Sequence, residues 1–389
     1  MRSVSVIGAG ITKFGEHWGK SFRELIAEAG IMAISDACIS GADIEAVYGG
    51  CMASGRFIGQ EHIGALIADQ LGLNPAPSTR VEAACASGGV ALRAAYHAIA
   101  SGMYDVVAVG GAEKMTEVST EEAGFALGGA GDQETELFQG ATFPALYALL
   151  ARRHMHEFKT TEEQMAAVAV KNHANGMHSP HSQFHNEITI EDVMNSGYVA
   201  TPLKLLDCSP ISDGAAAAIL CATDKARKLC EEPVEIIASA QASDTLAVAS
   251  RKSLTELWAT KVAVQEALRQ SGLKISDIDL AEVHDCFTIA EILAIEDLGF
   301  FKKGKGGKAS EDGKTALKGE IPINTSGGLK CGHPVGATGV KQAIEICEQV
   351  RGVTGKRQVK NAHIGLTHNI GGSGATCVIH ILQALEGKR

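Results

Sequence analysis

Hydrophobic positions follow two rhythms along the chain. Short apolar runs ending in small residues, VSVIGAG, IEAVYGGCM, VVAVGG and AAAAILCATD, predict strands running into turns. Longer stretches with apolar residues every three or four positions, FRELIAEAGIMAISDACISG and ALRAAYHAIASG, predict amphipathic helices. Their alternation predicts α/β layers with buried sheets. The order also recurs. AISDACISGADIEAVYGG (33–50) and AVQEALRQSGLKISDIDLAEVHD (263–285) both read as helix, turn, Asp-Ile pair and strand. After Cys85 come a glycine turn, a helix and DVVAVGG; after His333 come GATGVKQAIEICEQVRG and NAHIGLTHNIGG. This predicts an internal duplication, with halves at 1–232 and 233–389. Unrelated α/β units share such text too, so pattern alone leaves that alternative open.

Two stretches depart from the rhythm. Residues 116–206 hold helical text (ATFPALYALLARRHMHEF, TTEEQMAAVAVKNHANGMH) and little strand text, which predicts a lid or substrate-binding excursion on the scaffold. FFKKGKGGKASEDGKTALKGE, rich in Lys and Gly, is expected to be a solvated surface loop, with contact to an anionic ligand as the alternative.

Composition narrows the function. The 389 residues suit two domains or one large α/β unit, and 45% apolar against 21% charged residues can bury a sizeable core. A net charge of −10 argues against nucleic acid or an anionic membrane as partner, though not against a small anionic ligand. No uncharged apolar run approaches the roughly 18 residues of a membrane span. The opening MRSVSVIGAG reads as strand and turn rather than a leader, and the ten cysteines are scattered without a CxxC; together they set the expectation of reduced thiols in a cytoplasm. VIGAGITKFG lacks the GxGxxG spacing of a dinucleotide fold, so a dehydrogenase is a poor reading.

Four loops carry candidate chemistry. In VEAACASGG, Cys85 sits among small residues ahead of a helix, whose N-terminus would favour a thiolate, lower the thiol pKa and offer amides to an oxyanion; a buried structural cysteine fits the same text. In NTSGGLKCGHPVGATG, glycines and Pro334 surround His333, placing an imidazole where it could serve as base for a thiol; a solvent-exposed loop histidine is the alternative. In EVHDCFTIAE, His284, Asp285 and Cys286 stand at a predicted strand end, and Asp285 or Thr288 could cap the following helix. In THNIGGSG, glycines after the last strand would open amides to a ligand. Six histidines (His154, His156, His173, His178, His181, His185) crowd the 116–206 excursion, but their spacing fits no metal motif, and no metal is expected.

The chain resembles a thiolase over nearly its whole length, through CASGG, GGAEKM (110–115), DGAAAAIL (213–220), HDCF (284–287), GGLKCGHPVGATG (327–339) and NIGGSG (369–374). The resemblance implies a duplicated five-layered α/β/α/β/α fold. HDCF points to the branch of sterol carrier protein-type and archaeal thiolases. For that branch it implies condensation of two acetyl-CoA to acetoacetyl-CoA at the start of the mevalonate route, with coenzyme A thioesters as substrates and no permanently bound cofactor. It also implies a homodimer or homotetramer, and a complex with hydroxymethylglutaryl-CoA synthase and a small zinc-ribbon and OB-fold scaffold protein. Cys85 would carry the acetyl group, His333 would activate it and help form one oxyanion hole, and His284 would hold the water or group completing that hole. The amides of Cys85 and Gly371 would form a second hole. Most thiolases have an acid/base cysteine where this chain has Asn369, so Cys286 is assigned that role, with His368 in reserve. Residues touching coenzyme A are not assigned. Cleavage of longer 3-oxoacyl-CoA and a non-catalytic CoA- or lipid-binding scaffold are the rival functions.

Overall fold

The computed structural model describes residues 2–385. Eleven strands are formed among them: β1 (Val4–Ile11), β2 (Ala46–Gly50), β3 (Ser78–Val81), β4 (Val106–Glu113), β5 (Tyr198–Ala200), β6 (Leu203–Lys204), β7 (Gly214–Ala222), β8 (Val234–Ser243), β9 (Leu280–Glu282), β10 (Ile364–Gly371) and β11 (Thr376–Ala384). Nine of them run in the order β3-β2-β4-β7-β1-β8-β11-β10-β9. On the first side of β1, β3, β2 and β4 pair parallel, then β7 and β1 join antiparallel. On the other side, β9 and β10 pair parallel, then β11 and β8 join antiparallel. An isolated parallel bridge from Ala281 to Ile323 stands beside β9 where β3 stands beside β2. Strand order and direction therefore repeat on the two sides. The two sides touch through β1 and β8 only at Ser5–Glu235 and Val6–Val234.

The layers follow from which helix faces are apolar. The helices Ser87–Ala100 and Thr338–Arg351 pack on each other and on strands of both sides, so both are buried centrally. The helices Phe22–Asp36 and Trp258–Ser271 cover the outer faces, giving five layers. One large cluster, including Leu92, Ile99, Val107, Leu220, Val340 and Ile346, fills the space around the central helices. At their N-terminal ends these two helices touch so closely that a Cβ on Gly339 would collide with the backbone of Gly89.

The 116–206 excursion is mainly helical, with Phe143–Phe158 and Glu162–Gly176 its longest pieces, and carries the small β5–β6 sheet. The Lys- and Gly-rich stretch is not the simple loop expected. Gly306–Glu311 forms a short helix with Gly306, Gly307, Ala309 and Ser310 buried against the Glu162–Gly176 helix. Glu296 accepts the Gly306 N–H at 2.7 Å, which anchors it. No helix among the described residues is long and apolar enough to cross a membrane.

Candidate active site

Between β3 and the Ser87–Ala100 helix the chain makes a tight elbow. Ala84 sits at φ 52°, a left-handed conformation that side-chain-bearing residues rarely adopt and that costs about 1–3 kcal/mol. Local polar groups hold it there. Glu82 Oε1 accepts the Ala84 N–H at 2.6 Å; Ser87 Oγ accepts from Ala83 N at 3.0 Å and donates to Ala84 O at 2.6 Å. The elbow presents the next residue, Cys85. The Cys85 sulfur and one ring nitrogen each of His284 and His333 lie within 4.8 Å of one another. Three residues separated by up to 248 positions of sequence thus share one small space (333 minus 85).

Each histidine is held from behind. His333 lies between Ser212, whose hydroxyl accepts its backbone N–H at 3.0 Å, and Thr338, whose hydroxyl is 2.7 Å from Nδ1. The Thr338 hydrogen goes to Pro334 O at 3.0 Å, so Thr338 accepts the Nδ1–H and Nε2 is left unprotonated. His284 stands with its ring 5.3 Å from that of His333, at 85°. Its Nδ1 lies 3.2 Å from Asn369 Nδ2, which also donates to Cys85 O at 3.2 Å. The Nε2 atoms of both histidines are buried without a protein partner.

Cys286 is buried in the same neighbourhood, close enough to Cys85 for their charges to interact. Beside it, fully buried Tyr147 packs against Phe287 at 4.6 Å between ring centroids and donates from its hydroxyl to Gly372 O at 3.1 Å. Arg251 Nη1 holds the next carbonyl, Ser373 O, at 2.6 Å. Together they clamp the β10–β11 turn, in which Gly372 has φ +62°. The backbone N–H of Gly372 pulls the Cys85 thiol downward, and the expected Gly371 stands next to it against the same elbow, where a Cβ on it would collide with Ala83 O. Gly371 is still in β10, paired with Thr376. His368 faces away: its Nε2 meets Thr260 Oγ1 at 2.8 Å and its Nδ1 accepts the backbone N–H of His284. Neither ring nitrogen is left for Cys85, so the structure gives His368 no place as the reserve acid/base.

The electrostatics correct one expectation. Burial pushes the Cys85 thiol up to about 12, although its own amide and that of Gly372 pull downward. The surface of the residue is partly open, but the sulfur faces inward, and desolvation outweighs the helix end. Burial also lowers His333 to about 3, with Lys341 adding to the effect, and holds His284 well below its ordinary value. The resting pair is therefore neutral thiol and neutral imidazole. Alkylation of Cys85 by iodoacetamide, read from its peptide mass, is expected to climb about tenfold per pH unit from about pH 6 to 9 without a plateau. A plateau already reached at neutral pH would show a preformed thiolate.

Several motif residues are structural. Asp285 does not cap the Thr288–Asp297 helix, which has no side-chain cap, and the Thr288 hydroxyl donates instead to Asp207 at 2.7 Å. Asp285 accepts from Leu329 N at 2.7 Å, Lys330 N at 3.3 Å and Asn172 Nδ2 at 2.7 Å, tying the HDCF loop to the His333 loop. Burial and the neighbouring Glu291 push its carboxyl up to about 7. Glu113 of GGAEKM accepts the amides of Met52 and Ala53 at 2.9 and 3.0 Å. Asp213 of DGAAAAIL takes the ammonium of Lys114 at 3.0 Å and the amides of Met115 and Thr116. The histidines of the excursion serve separate partners: His154 meets Thr160 and Glu296, His173 meets Asn186 O, and His185 meets Ser179 O. Sequence reading did not single out Thr338, Tyr147, Arg251 or Gly372. Thr338 lay within GHPVGATG and Gly372 within NIGGSG, but Tyr147 and Arg251 are ordinary residues of their stretches.

Comparison with known proteins gives the following. Residues 4–224 match the family model described as "Thiolase, N-terminal domain", and 240–384 match "Thiolase C-terminal domain-like". An acetyl-CoA acetyltransferase of Methanothermobacter thermautotrophicus is 57% identical, over 98% of this chain and 100% of that protein. An acetyl-CoA acetyltransferase of Methanocaldococcus jannaschii is 50% identical, over 98% and 99%. The solved Ltp2-ChsH2(DUF35) aldolase superposes with a TM-score of 0.86 at 28% identity, covering 100% of this chain and 99% of that one.

Proposed function

The chain belongs to the thiolase family, acyltransferases that act on coenzyme A thioesters without a permanent cofactor, and from this we propose that it condenses two acetyl-CoA into acetoacetyl-CoA and free coenzyme A. The observation that carries the reading is the company of the Cys85 sulfur: a bare imidazole nitrogen from His333, a second buried histidine, an amide from Gly372 and a second thiol.

The steps balance as follows. His333 Nε2 takes the Cys85 proton as the sulfur attacks the thioester carbonyl, whose oxyanion the Cys85 and Gly372 amides receive. The tetrahedral intermediate expels coenzyme A thiolate, which takes the Cys286 proton. Acetyl-Cys85, imidazolium His333 and thiolate Cys286 remain. Burial raises Cys286 well above an ordinary thiol, which makes its thiolate a strong base once formed. It removes a proton from the methyl group of the second acetyl-CoA, with the enolate oxygen facing His333 and His284. The carbanion attacks acetyl-Cys85, and collapse expels the Cys85 sulfur, which regains its proton from His333. Both thiols and the neutral imidazole are restored.

Tyr147 and Phe287 are large, buried side chains beside Cys286, and we read their bulk as favouring a two-carbon acyl group over longer 3-oxoacyl chains. The names of the archaeal relatives agree with acetyl transfer. We read the chain further as a homo-oligomer of the cytoplasm at the start of the mevalonate route. The two-component name of the Ltp2-ChsH2(DUF35) aldolase supports a partner protein, for which the zinc-ribbon and OB-fold scaffold and hydroxymethylglutaryl-CoA synthase are the candidates. Incubation with acetyl-CoA alone is expected to leave an acetyl group on the Cys85 peptide by mass spectrometry and acetoacetyl-CoA in solution. Absence of acetyl-Cys85 from both acetyl-CoA and acetoacetyl-CoA would remove the enzyme reading. Faster cleavage of 3-oxooctanoyl-CoA than of acetoacetyl-CoA would favour the longer-chain one.

A further inference from the structure

We propose that Asn369 is a positioning residue that locks His284 in its Nε2–H tautomer, so that this histidine is a fixed hydrogen-bond donor to the reacting thioester. The inference rests on the acyl-transfer reading for its consequence, but its geometry stands alone. Cys85 O can only accept a hydrogen bond, so the Asn369 atom 3.2 Å from it must be the amide nitrogen. The same nitrogen lies 3.2 Å from His284 Nδ1. Its second hydrogen points there, and a ring nitrogen that receives an N–H holds a lone pair. Burial keeps the ring neutral, so its one proton is on Nε2.

The hydrogen bond to Cys85 O sets which way the amide faces. Its oxygen sits against Gly89 and Gly339, where a Cβ on either glycine would meet Asn369 Oδ1. A flipped amide would set that oxygen against Cys85 O, which can only accept, and would lose this hydrogen bond. The charged and titratable groups facing His284 are Cys85, His333 and His368, and His368 Nδ1 already accepts the His284 backbone N–H. His284 Nε2 is buried with no protein partner, and the ring shares one small space with the Cys85 sulfur and His333.

The two histidines are thus set oppositely by neutral neighbours. Thr338 accepts the Nδ1–H hydrogen bond of His333 and leaves a base at Nε2; Asn369 donates an N–H hydrogen bond to His284 Nδ1 and leaves a donor at Nε2. A carboxylate at 369 would attract a proton to Nδ1 and undo the second setting. An asparagine, which cannot titrate, maintains it across the pH range.

The test is the long-range 1H–15N spectrum of protein labelled at histidine, with His284 assigned by the signal lost in His284→Asn. The expected result is a protonated Nε2 and a bare Nδ1 in the wild-type protein; a protonated Nδ1 would overturn the proposal without any variant being needed. In Asn369→Leu the tautomer preference should be lost. Acetylation of Cys85 should fall less than condensation, because His333 stays in place and only the hydrogen bond to Cys85 O is lost at the nucleophile. The condensation kcat should fall on the order of 10²-fold, the usual effect of losing one oxyanion donor, with little change in KM. An unchanged kcat, or a tautomer unaltered in the variant, would also overturn it. Failure of the wild-type protein to acetylate Cys85 removes the acyl-transfer reading instead, and leaves the tautomer to be decided by the spectrum.

Discussion

Cys85→Ala protein should show no acetyl-enzyme and should lose condensation and thiolysis by at least about 10⁴-fold, as enzymes do when a covalent nucleophile is removed. The residue supplies the only sulfur that the elbow aims at His333, and without it His333 has no proton to take. The change itself is mild. Alanine fits the Glu82–Ser87 elbow, where the neighbours are already Ala83, Ala84 and Ala86, so the turn and its hydrogen bonds should persist. Coenzyme A binding, measured by titration calorimetry, should stay within a few-fold of the wild type. Retained binding with lost chemistry separates an enzyme from a CoA-binding scaffold. Turnover at the wild-type rate would end the acyl-cysteine mechanism.

Cys286→Ser is expected to split the reaction. Acetylation of Cys85 from acetyl-CoA should survive, since Cys85, His333 and the Gly372 amide are intact. Its rate should drop modestly because the leaving thiolate loses its nearest proton donor. Condensation should fall about 10²–10⁴-fold, the range for loss of a positioned acid/base. A hydroxyl is far less acidic than a thiol and will not stand ionised in a site that already holds the thiol well above its ordinary value. Single-turnover mass spectrometry of the Cys85 peptide reads the first half, and acetoacetyl-CoA formation reads the second. If both halves survive, Cys286 is not the base. His368 could not then inherit the role, because its ring nitrogens are committed to Thr260 and to the His284 amide.

Much of this site was legible where small residues cluster. Glycine and alanine text marks the places where backbone must approach backbone, and the loops of Cys85, His333 and Gly372 all stand out for that reason. What sequence could not weigh was the medium. The helix following Cys85 suggested a lowered thiol, whereas enclosure of the sulfur reverses the sign. Nor could it see across the fold. Asn369 drew notice only as a residue unable to titrate, and its value as a donor depends on Cys85 and His284 meeting it from other elements. Tyr147 lies in a helical stretch whose pattern reads as packing, and only the turn at Gly372 shows what its hydroxyl holds. The Gly306–Glu311 helix was hidden for the opposite reason: its glycines read as loop, but they let it pack close to its neighbours.

The repeated strand order has a meaning for inheritance. Cys85 stands just ahead of one central helix and His333 just ahead of the other, at like positions in two like halves. Two identical halves joined symmetrically would bring together two copies of one loop, and a pair of thiols or a pair of imidazoles is not a nucleophile with its base. Carrying both copies in a single polypeptide lets each accumulate its own mutations. The two loops can then become different from each other while their scaffolds stay alike, and this reaction requires that difference.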